Sequence, residues 1–210
     1  MKVITFSGVD GAGKTTILRE FTQIVEEKYN LKVKELRHRP SMLPILSAII
    51  YGKKKASEKS MEKLPRTGTN KSKISSYFRF FYYLIDYIIG QWVVYFKYSR
   101  KGVVVIYDRY YFDFINDSRR CNIDLNKKFI IFFYKLISEP NLNIFLYASP
   151  EIILSRKKEL DAATIEMLTN DYLELFAEYS KEKNQIYQSI ENIHKSETLN
   201  LVEELFKKII

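Results

Sequence analysis

Gly8-Val9-Asp10-Gly11-Ala12-Gly13-Lys14-Thr15 has the spacing GxxxxGK[ST]. It stands between an apolar run at residues 2–7 and a segment whose Ile17, Leu18, Phe21, Ile24 and Val25 fall on one helical face. Strand, glycine-rich loop and helix in that order are what the motif needs mechanically. The strand fixes the loop's root, glycines let successive backbone N–H groups turn inward, and the helix N-terminus adds its positive dipole end. A triphosphate is the ligand such a cradle suits. Gly8, Asp10, Gly11, Ala12, Gly13, Lys14, Thr15 and Thr16 are the expected phosphate contacts, with Lys14 reaching the β- and γ-phosphates and the Thr15 hydroxyl on Mg²⁺.

The rest of the chain alternates strand and helix signals. Residues 31–36 read as a second strand after a left-handed stop at Asn30, and a short helix is expected at 43–50. An aromatic-rich helical run covers 76–100 with Tyr77, Phe78, Phe81, Leu84, Ile85, Ile88, Ile89, Trp92 and Val93, and Gly102 ends it. Val103 to Tyr107 is a β-branched run of the kind covered on both faces. A helix at 126–137, a strand at 142–147 and a helix opened by Ser149-Pro150-Glu151 follow. A long helix at 162–187, a short strand at 190–194 and a last helix entered near a capping box at 200–203 complete the pattern. Such alternation predicts an α/β P-loop three-layer sandwich, a parallel sheet of about five strands flanked by helices.

At 210 residues, with 46% hydrophobic and 28% charged side chains, the chain reads as one globular domain, 1–210. The net charge of +9 is uneven. Residues 51–76 carry Lys53, Lys54, Lys55, Lys59, Lys63, Arg66, Lys71 and Lys73 against Glu58 and Glu62. A basic insert of that kind is either an anion-facing lid or a solvated loop. Cys121 is the sole cysteine, so no internal disulfide or thiolate metal site is expected, as suits a reducing, cytoplasmic setting. Met1 leads straight into strand-like residues instead of a secretory n-region, and no apolar run reaches membrane-spanning length.

Asp108, Arg109 and Tyr110 follow the third strand and should open into the crevice outside the strand C-termini, where open α/β sheets bind ligands. A carboxylate there can meet the metal from a neighbouring strand end, and a planar guanidinium suits a phosphate oxygen. With the GVDGAGKTT loop, the Asp108-Arg109-Tyr110 triplet and a Ser-Pro-Glu helix leading to Arg156-Lys157-Lys158, the chain resembles the thymidylate kinase group of P-loop kinases over nearly its whole length. That resemblance implies that Asp10 orients the acceptor and that Arg109 holds the acceptor phosphate. It places Arg156 in a short lid near residues 155–165 and makes Asp10, Lys14, Arg109 and Arg156 the catalytic set. It extends acceptor contact to Arg37, Arg39, Arg79, Asp108 and Tyr110, and metal binding to Thr15 and Asp108.

Departures cluster on the acceptor side. Arg37-His38-Arg39-Pro40 stands where the family has arginine-glutamate-proline, and Ile85-Asp86-Tyr87 where it has alanine-aspartate-arginine. Phe112-Asp113-Phe114 and Asp117-Ser118-Arg119-Arg120 replace the serine and the tyrosine-glutamine-glycine. Arg119 and Arg120 are either contacts to an anionic acceptor or surface charge. The resulting expectation is transfer of the ATP γ-phosphoryl group, with Mg²⁺, to a small-molecule acceptor. dTMP or another nucleoside monophosphate leads, and a nucleoside, sugar or glycoconjugate is the alternative. A nucleic-acid-handling switch using residues 51–76 is the contrasting class, no nucleic-acid partner is expected on the leading reading, and a homodimer is left open.

Overall fold

The computed structural model describes residues 1–37, 72–183 and 186–210, apart from the side chains of Arg100 and Glu182. The expected helix at 43–50, Arg39 and residues 51–71 of the basic insert lie outside the described residues.

The sheet is five-stranded and all-parallel, in the order β2-β3-β1-β4-β5. Its strands are β1 (Lys2–Ser7), β2 (Val33–Arg37), β3 (Val104–Asp108), β4 (Leu142–Tyr147) and β5 (Tyr187–Glu191). β1 lies at the centre between β3 and β4, so the crevice at its C-terminal end is bounded by the ends of both neighbours. Alternation along β3 shows the layering. Val104 and Ile106 face α1 (Lys14–Glu27) and the C-terminal helix Lys195–Lys207, whereas Val105 and Tyr107 join the aromatic cluster on the other face. That cluster draws on α2 (Lys73–Tyr98), α3 (Tyr111–Asn116), α4 (Lys127–Phe132) and α6 (Ala162–Lys183). α5 (Pro150–Arg156) packs Ile153 with Val9, Ala148, Ile165 and Leu168 beneath the glycine loop. The C-terminal helix is α7.

Several boundaries differ from expectation. The fifth strand begins at Tyr187 and ends before His194, and the long helix stops at Lys183. The pairing of Asn143 to Tyr187 and of Tyr147 to Glu191 draws Gln188 and Ser189, which offer no apolar strand signal, into the sheet. α7 starts at Lys195, so the residues read as a capping box at 200–203 lie inside it; Leu199, Val202, Leu205 and Phe206 supply its buried face. The helix expected at 126–137 is one α-helical segment followed by a 3₁₀ turn at Phe133–Leu136. Arg37 closes β2 instead of following it, and Lys73 begins α2, capped by the Ser72 side chain.

α2 also carries two apolar faces. Phe80, Tyr83, Leu84, Tyr87 and Val94 are buried, while Phe78, Phe81, Ile85, Ile89, Trp92 and Phe96 are exposed. Most of the stripe noted in the sequence is therefore the outward one. Gly102 and Asn30 take left-handed conformations at the stops where the sequence placed them. No helix among the described residues is long and apolar enough to cross a membrane.

Candidate active site

The loop after β1 is shaped by its neighbours as much as by its own residues. A Cβ on Gly8, whose φ is +149°, would lie 2.2 Å from the Leu146 carbonyl oxygen. Gly13, at φ +87°, forms the N-cap of α1, and a Cβ there would lie 2.3 Å from Asn192 Nδ2. That amide donates to the Ala12 carbonyl at 2.8 Å and its Oδ1 accepts from Thr198 Oγ1 at 3.0 Å, so the end of β5 props the loop from behind. Lys14 folds back to donate to the carbonyls of Gly8 at 2.7 Å and Val9 at 3.0 Å. Burial first and the Arg109 charge second bring its ammonium down to about 7, against the pull of Asp10, Asp113 and Asp108.

The crevice between β1 and β3 holds a chain of charges. Arg109 has φ +75°, a left-handed conformation that costs a non-glycine residue roughly 1–3 kcal/mol. Its N–H donates to the Phe6 carbonyl at 2.8 Å, and the turn swings its guanidinium back over the loop. There Nη2 bonds Asp10 Oδ1 at 2.6 Å, and Nη1 bonds Asp113 Oδ1. The other Asp113 oxygen accepts from Ser7 Oγ at 3.0 Å and from the Tyr110 N–H at 3.3 Å. Arg120 Nη1 bonds the second Asp10 oxygen at 2.5 Å. Asp10 thus bridges two guanidinium groups from inside the loop. Burial opposes its ionisation, yet Arg109, Lys14 and Arg120 together hold its carboxyl below the usual carboxylate range. Burial also works against the Arg109 charge, and Asp113 and Asp10 more than offset it.

Among the expected site residues, Gly8, Asp10, Gly11, Ala12, Gly13, Lys14 and Arg109 come together, with Thr15 and Thr16 exposed on the first turn of α1. Asp108 ends β3 with Oδ1 buried and without a hydrogen-bond partner, and Arg37 stands 3.9 Å from its other oxygen. A carboxylate oxygen without a partner and a threonine hydroxyl on the first turn after the glycine loop are oxygen donors of the kind that suits Mg²⁺, which binds through one or two protein oxygens plus phosphates. Arg156, at the end of α5, donates to the Asn192 carbonyl at 3.1 Å and lies beside Gly13. Two expected residues are placed elsewhere. Tyr110 turns its ring into the aromatic core, its hydroxyl donating to the Ser138 carbonyl at 2.8 Å, and Arg79 bonds Ser75 Oγ along its own helix. Asp113 and Asn192 are members that sequence reasoning missed, and Arg120 was left there between an acceptor contact and surface charge. The only advance signal was the departure from family pattern around Asp113 and Arg120.

The sequence matches no protein-family model and no curated protein sequence. Solved structures do match. Thymidylate kinase from Candida albicans superposes with a TM-score of 0.63 at 15% identity, covering 99% of this chain and 91% of that one. Thymidylate kinase from Ehrlichia chaffeensis gives 0.58 at 15% identity, covering 96% and 98%. Over nearly its whole length, this chain has the fold of the thymidylate kinases.

Proposed function

We propose that the chain is a P-loop kinase that moves the γ-phosphoryl group of ATP to a small acceptor, with dTMP or another nucleoside monophosphate leading. One observation carries the reading: Asp10, inside the phosphate loop, is bonded to Arg109 and Arg120, so a second anionic ligand can be held against the first. A hydrolytic switch can use a single arginine on the transferred phosphate, whereas two arginines on one loop carboxylate suit a second anionic ligand.

In this reading the loop amides and Lys14 bind the β- and γ-phosphates, and Arg109 holds the acceptor. Asp10 fixes where the guanidinium groups point, which places attacking and leaving oxygens in line. Arg156, the short lid at 155–165 and the loop segment from 157 to 161 close over the transferred group. Thr15 and Asp108 would hold Mg²⁺, which would supply charge neutralisation at the transferred phosphoryl group. Little covalent chemistry falls to the protein; positioning and charge neutralisation set the rate.

A second reading keeps the reaction and changes the acceptor. Asp86 and Tyr87 on α2 are buried in the core, so that step of the helix offers no guanidinium to a base, which favours a thymidylate-kinase-like paralogue acting on another nucleoside, sugar or glycoconjugate. Incubating the protein with γ-labelled ATP and a panel of nucleoside monophosphates, nucleosides and phosphosugars decides between them by which compound takes label. Label passing only to water sinks both.

The outward face of α2 is assigned to a second copy of the chain. Between Phe81 and Phe96 its only charged residue, Asp86, points inward, and an uncharged aromatic stripe of this length is the kind that pairs. Trp92→Glu should convert a dimer to a monomer in light scattering; a wild-type monomer at high concentration rejects the pairing.

A further inference from the structure

Arg120 is the guanidinium for which the loop and sheet give no structural reason. It sits on the 3₁₀ turn Ser118–Cys121, and it reaches back across 110 positions to Asp10. The turn is built to hold it. Arg120 N–H donates to the Asp117 carbonyl at 3.0 Å, Asn122 N–H to Arg119 at 2.9 Å and Ile123 N–H to Ser118 at 3.1 Å. Asn122 takes the left-handed conformation that ends the turn, and Ile123 anchors it in the aromatic core. A long flexible side chain is therefore delivered from a rigid base, the condition under which a binding contact loses least entropy.

The two arginines on Asp10 are not equivalent. Arg109 is nearly closed off, with side-chain exposure of 10%, and is engaged by two carboxylates and the Gly8 carbonyl. Arg120 is 23% exposed and is paired with the one carboxylate it shares with Arg109. Five N–H donors on a planar fork leave Arg120 capacity for a bidentate oxyanion at the mouth of the crevice. Arg119, next in the turn, is exposed and faces no such partner in the loop.

We propose that Arg120 is an acceptor-binding residue, held ready by Asp10, whose fork takes the dianionic phosphate of a phosphomonoester and so selects phosphate-bearing acceptors over neutral ones. The proposal rests on the kinase reading and sharpens it, because a free hydroxyl acceptor would leave the fork unused. It also separates the residues left ambiguous in the sequence: Arg120 binds acceptor and Arg119 is surface charge.

The test uses the full chain saturated with AMP-PNP and Mg²⁺, so that the phosphate loop is already filled. Calorimetry then measures inorganic phosphate, dTMP and thymidine in the wild type, Arg120→Gln, Arg120→Lys and Arg119→Gln. Loss of a charge-assisted fork should weaken inorganic phosphate and dTMP by about ten- to a hundredfold in Arg120→Gln. AMP-PNP affinity should hold within about threefold and thymidine should not change, since neither uses the fork. Arg120→Lys keeps the ion pair with Asp10 and the fold, and should fall between the two; Arg119→Gln should match the wild type. Phosphate binding undiminished in both Arg120 variants overturns the proposal. So does a parallel loss of AMP-PNP affinity, which would make Arg120 a brace for the loop. A wild type that binds AMP-PNP but neither phosphate nor dTMP overturns the Arg120 assignment alone, whereas one that fails to bind AMP-PNP overturns the kinase reading as well.

Discussion

On one face of the sheet, α1 and α7 cover Ile4, Ile106 and Ile144 with Ile17, Leu18, Val25, Val202 and Leu205; on the other, α2, α3 and α6 bring Phe80, Tyr87, Tyr111, Phe112, Tyr172 and Phe176 against Tyr107 and Phe145. The first side, mainly aliphatic around the rings of Phe6, Phe21 and Phe206, asks mostly for shape, and it carries the glycine loop. Tyrosine-rich packing asks for direction as well, because a buried hydroxyl without a partner is costly. Tyr134 and Tyr187 share a hydrogen bond at 2.9 Å, Tyr187 reaches Glu139 at 2.9 Å, and Tyr111 donates to the Ile130 carbonyl at 3.0 Å. The Tyr111 bond ties α3, which carries Asp113, to α4, and the Tyr187 bonds tie β5 to the segment after α4. The side that carries the glycine loop is thus a general platform, and the side that carries Asp113 and Arg120 is individually positioned.

Phe112→Ala is the most severe way to break that contrast. The ring packs between Tyr134, Phe176 and Tyr187, and its loss should cost about 3–5 kcal/mol in urea unfolding. A loss no larger than an aliphatic trimming would mean that the aromatic side is loosely packed. Lys14→Ala tests the platform from the other direction. Phosphoryl transfer should fall on the order of 10²–10³-fold while the chain still folds, since the ammonium's hydrogen bonds go to loop carbonyls and its ionic neighbours, Arg109 and the three aspartates, are of both signs. Near-normal turnover by the folded variant would remove the phosphate-loop assignment.

A matched pair sharpens the comparison further. Tyr187→Phe deletes only an oxygen, yet it strips a partner from Tyr134 and Glu139 and should cost about 1–3 kcal/mol. Ile17→Val, on the aliphatic side, should cost about 0.5–1.5 kcal/mol. Equal costs would say that direction adds nothing to shape.

The smallest effect concerns the polar clasp at the rim of the aliphatic side, where Glu203 accepts from Lys28 at 2.6 Å and Tyr29 at 2.7 Å. Those two donors, Lys28 foremost, hold the Glu203 carboxyl down at about 2 against an ordinary 4.5. The folded form therefore takes up this proton less readily than the unfolded chain. The stabilisation is complete above about 4.5 and is lost as pH falls toward 2. The midpoint difference between wild type and Glu203→Gln should accordingly be present at neutral pH and vanish at the acid end; a constant difference would place the stabilisation elsewhere.

What the sequence disclosed follows the range of the forces involved. Gly8 to Thr15 are neighbours in the chain, so their joint chemistry is visible in a single line of text. Asp108 and Arg109 were legible because a β-branched strand announces its own end. Asn192 was not, since its bond to Ala12 spans 180 positions and exists only because β5 pairs with β4. Arg120 and Asp113 could be noticed as departures but not assigned, because the partner that gives each its meaning lies on another element. The misplaced start of α7 has the same origin: burial against α1, not the local cap residues, determines where that helix begins.

β1 precedes the other four strands of the sheet in the chain and is also the central one. Val3 pairs with Val105, and Ile4 with Leu142, so both neighbours arrive more than a hundred residues later. At synthesis rates of about 5–20 residues per second, the root of the phosphate loop waits several seconds or more for its first flank. During that interval an apolar strand with two unpaired edges is a target for premature pairing. Nascent chains ending before β4 should be the ones that chaperones hold, and nucleotide capture should be among the last properties the growing chain acquires.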